Sequence, residues 1–188
     1  MPDFPPHPTE LLHLLLREKI SPGDTVIDAT AGNGHDTIFL AKLVGETGTV
    51  IAIDIQEKAI AATRSRLETT GLSSRVSLHC TTHTAIAEIA SGTTPSAIIF
   101  NLGYLPGGDR SITTSTTESL TAITAAADML GPRGALAITC YPGHPGGKDE
   151  ASAVAEFIVS RNDLRNARYG LIGTLSSAPF LLLSEKRP

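Results

Sequence analysis

Val26-Ile27-Asp28-Ala29-Thr30-Ala31-Gly32-Asn33-Gly34-His35-Asp36 decides how this chain is read. Val26 and Ile27 begin a buried strand, and the strand runs into a turn carrying glycines at 32 and 34. Without a Cβ, those glycines permit a tight turn into a helix and let backbone approach a ligand closely. In a doubly wound sheet, ligands lie beyond the carboxyl ends of the strands, where such turns stand.

Outward from that turn, apolar runs alternate with amphipathic stretches. Val50-Ile51-Ala52-Ile53, Val76-Ser77-Leu78, Ala97-Ile98-Ile99-Phe100 and Ala135-Leu136-Ala137-Ile138-Thr139 read as four further strands. Continuous apolar runs of this length fit strands covered on both faces, as in a parallel sheet. Helices fall between them. Residues 9–16 form a short one, ended by Ser21-Pro22-Gly23, and residues 57–70 form another that stops at Gly71. Ser115 and Glu118 have capping-box spacing ahead of residues 120–130, and residues 151–160 are amphipathic. Too little chain separates the segments 167–172 and 179–183 for a helix, so the final pair is antiparallel. The expectation is an α/β, doubly wound, mostly parallel sheet with right-handed crossovers and an antiparallel final strand. With no internal repeat or linker, residues 1–188 read as one domain, 1–22 being an N-terminal helical extension.

Composition narrows the function. The 188 residues are 41% apolar and 18% charged, enough for a sizeable core. Fifteen basic against nineteen acidic residues give a net charge of −4, which excludes a wholly basic surface but allows a local basic patch. Only Cys80 and Cys140 are present, so a disulfide framework or four-thiolate zinc site is excluded, and both read as small core residues. His79-Cys80-x-x-His83 lacks a fourth ligand nearby, and no metal is expected. Apolar stretches such as 180–183 fall far short of the ~20 residues that cross a bilayer. Residues 1–6 carry no basic n-region. A cytoplasmic protein with no membrane partner is expected.

Three cofactor classes compete for the first turn. Gly147-Lys148-Asp149 has neither the spacing nor the hydroxyl of a nucleoside-triphosphate loop. A dinucleotide fingerprint needs a third glycine where Thr37 stands, and a carboxylate at Asp28 would repel a pyrophosphate. S-adenosyl-L-methionine has no phosphate and carries an ammonium and a sulfonium, which suit Asp28. Asp54, ending the second strand, can accept hydrogen bonds from both ribose hydroxyls. The candidate cofactor residues are therefore Asp28, Ala29, Thr30, Gly32, Asn33, Gly34, Asp36 and Asp54, with Gln56 and His83 toward the nucleoside and Asn101 at the far end.

The fourth strand exits through Asn101-Leu102-Gly103-Tyr104-Leu105-Pro106-Gly107-Gly108-Asp109. Methyl transfer to nitrogen needs a lone pair aimed along the S–CH₃ axis. An Asn carbonyl oxygen can hold the hydrogens of an amine, and an aromatic face can stack on a base. Asn101 with Tyr104 resembles the Asn-Pro-Pro-Tyr signature of amino-nitrogen methyltransferases, Leu102 and Gly103 replacing the prolines. The fifth strand exits through Tyr141-Pro142-Gly143-His144-Pro145-Gly146-Gly147, overlooking the same cleft.

These three blocks, in this order, resemble the YtqB-like rRNA-methylase family, whose characterised members are the MnmM-type tRNA methyltransferases. The resemblance covers essentially the whole chain. It implies a class I, Rossmann-like methyltransferase fold with a seven-stranded sheet. It also implies methylation of the 5-aminomethyl group on wobble 2-thiouridine in the anticodon region of tRNA, giving the 5-methylaminomethyl form. An alkyl ammonium, with a pKa of about 10.4, must lose a proton before it attacks. Asp109 is the candidate to orient the amine or take its proton, His144 is an alternative base, and Tyr141 holds the nucleoside. Tyr104, Gly107 and Gly108 complete the candidate substrate contacts. Arg161, Arg165 and Arg168 with Lys186 and Arg187, or Arg17 with Lys19, or Arg64 with Arg66, are candidate RNA-facing edges, and a homodimer would lengthen the footprint. Methylation of rRNA or of a small-molecule amine, and a non-catalytic cofactor-binding module, are the competing readings. A nicotinamide-dependent oxidoreductase is disfavoured by Asp28 and Thr37.

Overall fold

The computed structural model describes residues 4–105, 107 and 113–188. Its elements are α1 (Pro8–Lys19), β1 (Thr25–Asp28), α2 (His35–Leu43), β2 (Thr49–Asp54), α3 (Glu57–Thr70), β3 (Val76–Cys80), α4 (Ile86–Ile89), β4 (Ala97–Leu102), α5 (Thr116–Met129), β5 (Ala135–Cys140), α6 (Gly147–Ser160), β6 (Leu164–Gly170) and β7 (Phe180–Lys186). The strands form one sheet in the order β3-β2-β1-β4-β5-β7-β6. Every pair is parallel except those of β7, which is antiparallel to both β5 and β6. The fold class expected from the sequence is the one observed.

Apolar runs without alternation arise because both faces of the strands are covered. Ile27, Ile98, Leu136 and Leu182 face α4, α5 and α6, packing on residues such as Ile86, Ile123 and Val154. Their neighbours Val26, Ala97, Ile99 and Leu181 face the other way, onto Leu12 and Leu16 of α1, Leu40 of α2 and Leu67 of α3. The segment read as an extension is thus packed into the second face. Tyr169 donates its hydroxyl to the Pro6 carbonyl at 2.6 Å, and Lys19 pairs with Glu185 at 2.8 Å.

Local details follow from sequence. Gly71 caps α3 with φ 68°, and Ser115 caps α5 by accepting from the Glu118 N–H. α1 has a capping box built on His7 and Glu10, a cap residue outside the usual Ser/Thr/Asp/Asn set. α6 starts at Gly147, earlier than expected, because its first turn (Lys148, Asp149, Glu150) is polar and hides the apolar period. Cys80 corrects its core assignment: it ends the edge strand β3 and is exposed, whereas Cys140 is buried. Among the described residues no helix is long and apolar enough to cross a membrane.

From β1 the chain winds outward through β2 to β3, then returns to place β4 on the other side of β1. The connections after β1 and β4 therefore leave in opposite directions, and a crevice opens between them at the carboxyl ends.

Candidate functional site

A cavity of about 750 Å³ occupies that crevice, within the range of small-molecule sites. Its walls are the 29–33 turn, the ends of β2 and β4, and the loops after β4 and β5.

The turn does several jobs. The Gly32 N–H donates to Asp54 Oδ2 at 2.8 Å, and the Gln56 N–H donates to Oδ1 at 2.9 Å. A carboxylate has about four lone-pair sites, so Asp54 keeps capacity for a ligand. Gly34 stands at φ 81°, and a Cβ there would lie 2.9 Å from Thr63 Cα. Its absence lets α3 close on the turn, where the Thr63 hydroxyl donates to the Gly32 carbonyl at 3.1 Å. Ala29, Thr30, Gly32 and Asn33 line the cavity. Gly34 serves packing.

Asp28 lies behind the wall, fully buried. It accepts from the Thr37 hydroxyl at 2.6 Å and from the Thr30 N–H at 3.3 Å. Burial, then the nearby Asp36 charge, pushes its carboxyl up to about 7. Thr37, standing where a dinucleotide fingerprint has glycine, is thus a hydroxyl donor to this buried acid.

Of the two carboxylates in this turn, Asp36 is the one that faces the cavity. Oδ1 lies 2.7 Å from His13 Nε2, and Oδ2 accepts from Asn101 Nδ2 at 2.8 Å. Burial works to raise its carboxyl, but the His13 and Asn101 hydrogen bonds outweigh it and hold the group below its ordinary value. The Asn101 N–H donates to the Thr30 hydroxyl at 2.7 Å, tying β4 to the first turn. His83 lines the nucleoside side with Gln56 and Ile55. Its Nε2 is enclosed and has no hydrogen-bond partner among the described residues. Burial shifts the ring below its ordinary value, favouring the neutral form, while Glu118 and Glu150 pull the other way.

At the other end stand Tyr104, Gly107 and Tyr141. Tyr104 forms an antiparallel bridge with Thr113, and the Thr114 N–H donates to the Gly103 carbonyl at 3.0 Å. Gly103 packs against the Tyr141 side chain, where a Cβ would stand in ordinary van der Waals contact with Tyr141 Cβ. Burial raises the Tyr141 phenol, a hydrogen bond with Thr9 lowers it, and the Asp36 charge raises it further. Gly108 and Asp109 lie outside the described residues. His144 is not on the wall. Its side chain is enclosed edge-on to Tyr104 at 6.4 Å, Nδ1 donates to the Pro145 carbonyl, and Nε2 lies 3.8 Å from Glu150. Glu150 is itself buried and accepts from Ser119 at 2.6 Å and Thr114 at 2.8 Å. The two residues brace both loops from behind.

Sequence reasoning missed Thr9 and His13. They sit four apart on one face of α1, but their partners are distant in sequence. Of the candidate basic edges, Arg161 is spent on Asp128 and Asp163, Lys186 on Asp163, and Lys19 on Glu185. Arg168 lies 3.9 Å over the Phe180 ring, and Arg165, Arg64 and Arg66 are exposed.

Comparison with known proteins adds to this geometry. The family described as "Putative rRNA methylase" matches residues 50–185, and that described as "Protein-L-isoaspartate(D-aspartate) O-methyltransferase (PCMT)" matches residues 6–90. A chloroplastic tRNA (mnm(5)s(2)U34)-methyltransferase of Arabidopsis thaliana is 41% identical over 158 residues, which are 79% of this chain. The chain spans 58% of that relative's length. A crystal structure titled "putative rRNA-methylase" from Clostridium thermocellum superposes with TM-score 0.92 at 36% identity, covering 96% of this chain and 97% of that one. A "putative methyltransferase" from Streptococcus mutans, in complex with SAH, superposes with TM-score 0.85 at 36% identity, covering 96% and 98%.

Proposed function

The chain belongs to the rRNA-methylase family, and from that premise we propose that it is an S-adenosyl-L-methionine-dependent N-methyltransferase acting on tRNA. Its substrate on this reading is the 5-aminomethyl group of wobble 5-aminomethyl-2-thiouridine, converted to 5-methylaminomethyl-2-thiouridine. The observation that carries the proposal is one cavity with a ribose-type acceptor, Asp54, at one end and an Asn–Tyr–Tyr acceptor end at the other. The 41% identity to a wobble-uridine methyltransferase supports the choice of nucleoside.

The residues present fit the cofactor. Asp54 retains lone pairs for two hydroxyls, the 58% exposed Ile55 offers an apolar surface to a base, and Gln56 and His83 lie beside it. When bound, the cofactor supplies a methyl group on a positively charged sulfur. Everything else is positioning. Asn101 offers its side-chain oxygen to an amine hydrogen, and Tyr104 and Tyr141 present rings to the nucleoside. Asp109 orients the amine or takes the proton that an ammonium with a pKa of about 10.4 must shed. His144 supports Tyr104. On this reading tRNA is bound through its anticodon region, in the cytoplasm, by a monomer or a homodimer.

Incubation with tRNA and labelled cofactor, followed by mass spectrometry of the nucleosides, tests the proposal. Conversion of 5-aminomethyl-2-thiouridine is expected, and label appearing in a different nucleoside instead refutes the substrate. In the same assay, Asp54→Ala should weaken cofactor binding about 10–100-fold, the worth of one or two hydrogen bonds to a charged group. Asp109→Ala should lower turnover and spare that affinity.

A further inference from the structure

A line of hydrogen bonds runs from α1 to the acceptor end of the cavity. His13 Nε2 meets Asp36 Oδ1 at 2.7 Å, and Asp36 Oδ2 accepts from Asn101 Nδ2 at 2.8 Å. The Asp36 side chain is only 13% exposed. An ionised carboxylate accepts and never donates. Asn101 must therefore turn Nδ2 toward Asp36, which leaves Oδ1 on the opposite side of the amide. An uncharged amide at position 36 would impose no such direction, because it could bond either end of Asn101. The Asn101 N–H, bonded to the Thr30 hydroxyl at 2.7 Å, holds the same residue from its backbone. His13 is held in turn. Its ring stacks on Phe39 of α2 with centroids 4.0 Å apart and planes 11° from parallel, and the Arg17 guanidinium lies 5.4 Å from the centre of the Phe39 ring.

We propose that His13 and Asp36 are positioning residues that keep Asn101 Oδ1 presented to the acceptor. The site thereby selects an acceptor atom that brings hydrogens of its own. The inference rests on the methyl-transfer reading and extends it to substrate choice. An amine places one hydrogen on Oδ1, which turns its lone pair to a fixed direction. A hydrogen-free oxygen acceptor meets a carbonyl oxygen and is repelled. Neither His13 nor its ring support needs to touch substrate, so His13 acts on the reaction through Asp36.

Four measurements on the full chain test this: tRNA methylation, SAH affinity, thermal melting, and the Asn101 side-chain amide signals by NMR. Asp36→Asn should lower kcat about 100-fold, the scale of a misdirected reacting group, and lower SAH affinity by clearly less, about tenfold at most, because the side chain also lines the cavity. His13→Ala should lower kcat about tenfold, and His13→Gln, which keeps an N–H donor, should recover most of it. The Asn101 amide protons should show one bonded orientation in the parent protein and two in Asp36→Asn, a readout that needs no turnover. Unchanged kcat in Asp36→Asn, or a loss of SAH affinity equal to the loss of turnover, overturns the proposal. So does His13→Gln as impaired as His13→Ala, or one amide orientation in both proteins. A parent enzyme with no turnover on tRNA but the expected NMR change refutes the substrate reading and leaves the positioning chain standing.

Discussion

Asp28 ends β1 without solvent contact, and burial followed by the Asp36 charge pushes its carboxyl from an ordinary 3.8 to about 7. Between those values the folded chain holds a proton that the unfolded chain has released. Stability from this group is fully present below 3.8, declines as pH rises through that window, and is lost above about 7. Asp28→Asn removes the titration and keeps an acceptor for the Thr30 N–H. Its melting temperature should match the parent near pH 4 and exceed it by several degrees at pH 8, in paired calorimetric scans. A deficit that grows with pH would contradict the sign. The first turn was legible at Gly32 and Asp54 as to placement, because the strand–turn pattern puts both at the carboxyl ends of the strands, where they line the cavity. At Asp28 and Asp36 it was not. Two carboxylates of one turn look interchangeable until burial sends one behind the wall and leaves the other facing the cavity.

At the scale of elements, two glycines with the same backbone habit should respond differently. Gly34 and Gly71 both have positive φ, but a Cβ at Gly34 collides with Thr63 whereas nothing lies within 4 Å of one at Gly71. Gly71→Ala should cost about 1–2 kcal/mol, the left-handed penalty alone, and Gly34→Ala at least about 2 kcal/mol, because overpacking adds to it. Urea unfolding of both variants compares them directly, and equal losses would mean that α3 simply shifts away from the turn. α3 and the α5 cap were readable because their signals, Gly71 and Ser115 with Glu118, are local. The part α1 plays was not. His13 and Asp36 are 23 residues apart, and tertiary packing, of Leu12 and Leu16 onto the sheet and of His13 onto Phe39, brings them together. The His144–Glu150 brace was hidden in the same way, since a histidine in a loop gives no local sign of being enclosed.

Across the whole molecule, charge and topology set how tRNA would be met. The net charge is −4, and three candidate cations are already paired with carboxylates. Binding through the few that remain, such as Arg165, Arg64 and Arg66, should give a log–log salt slope of magnitude about 2–4. A fluorescence titration over several salt concentrations reads it, and a slope near 10 would point to a far larger basic footprint. Topology has a different consequence. The strand that completes the sheet, β7, follows β6 in the chain yet lies between β5 and β6. On a ribosome, residues 1–170 leave the exit tunnel with the β5 edge bare and β6 lacking the neighbour it pairs with. Until residues 180–186 emerge, that apolar edge is a ready template for pairing with another nascent copy, so aggregation risk is greatest in the interval between the emergence of β5 and that of β7.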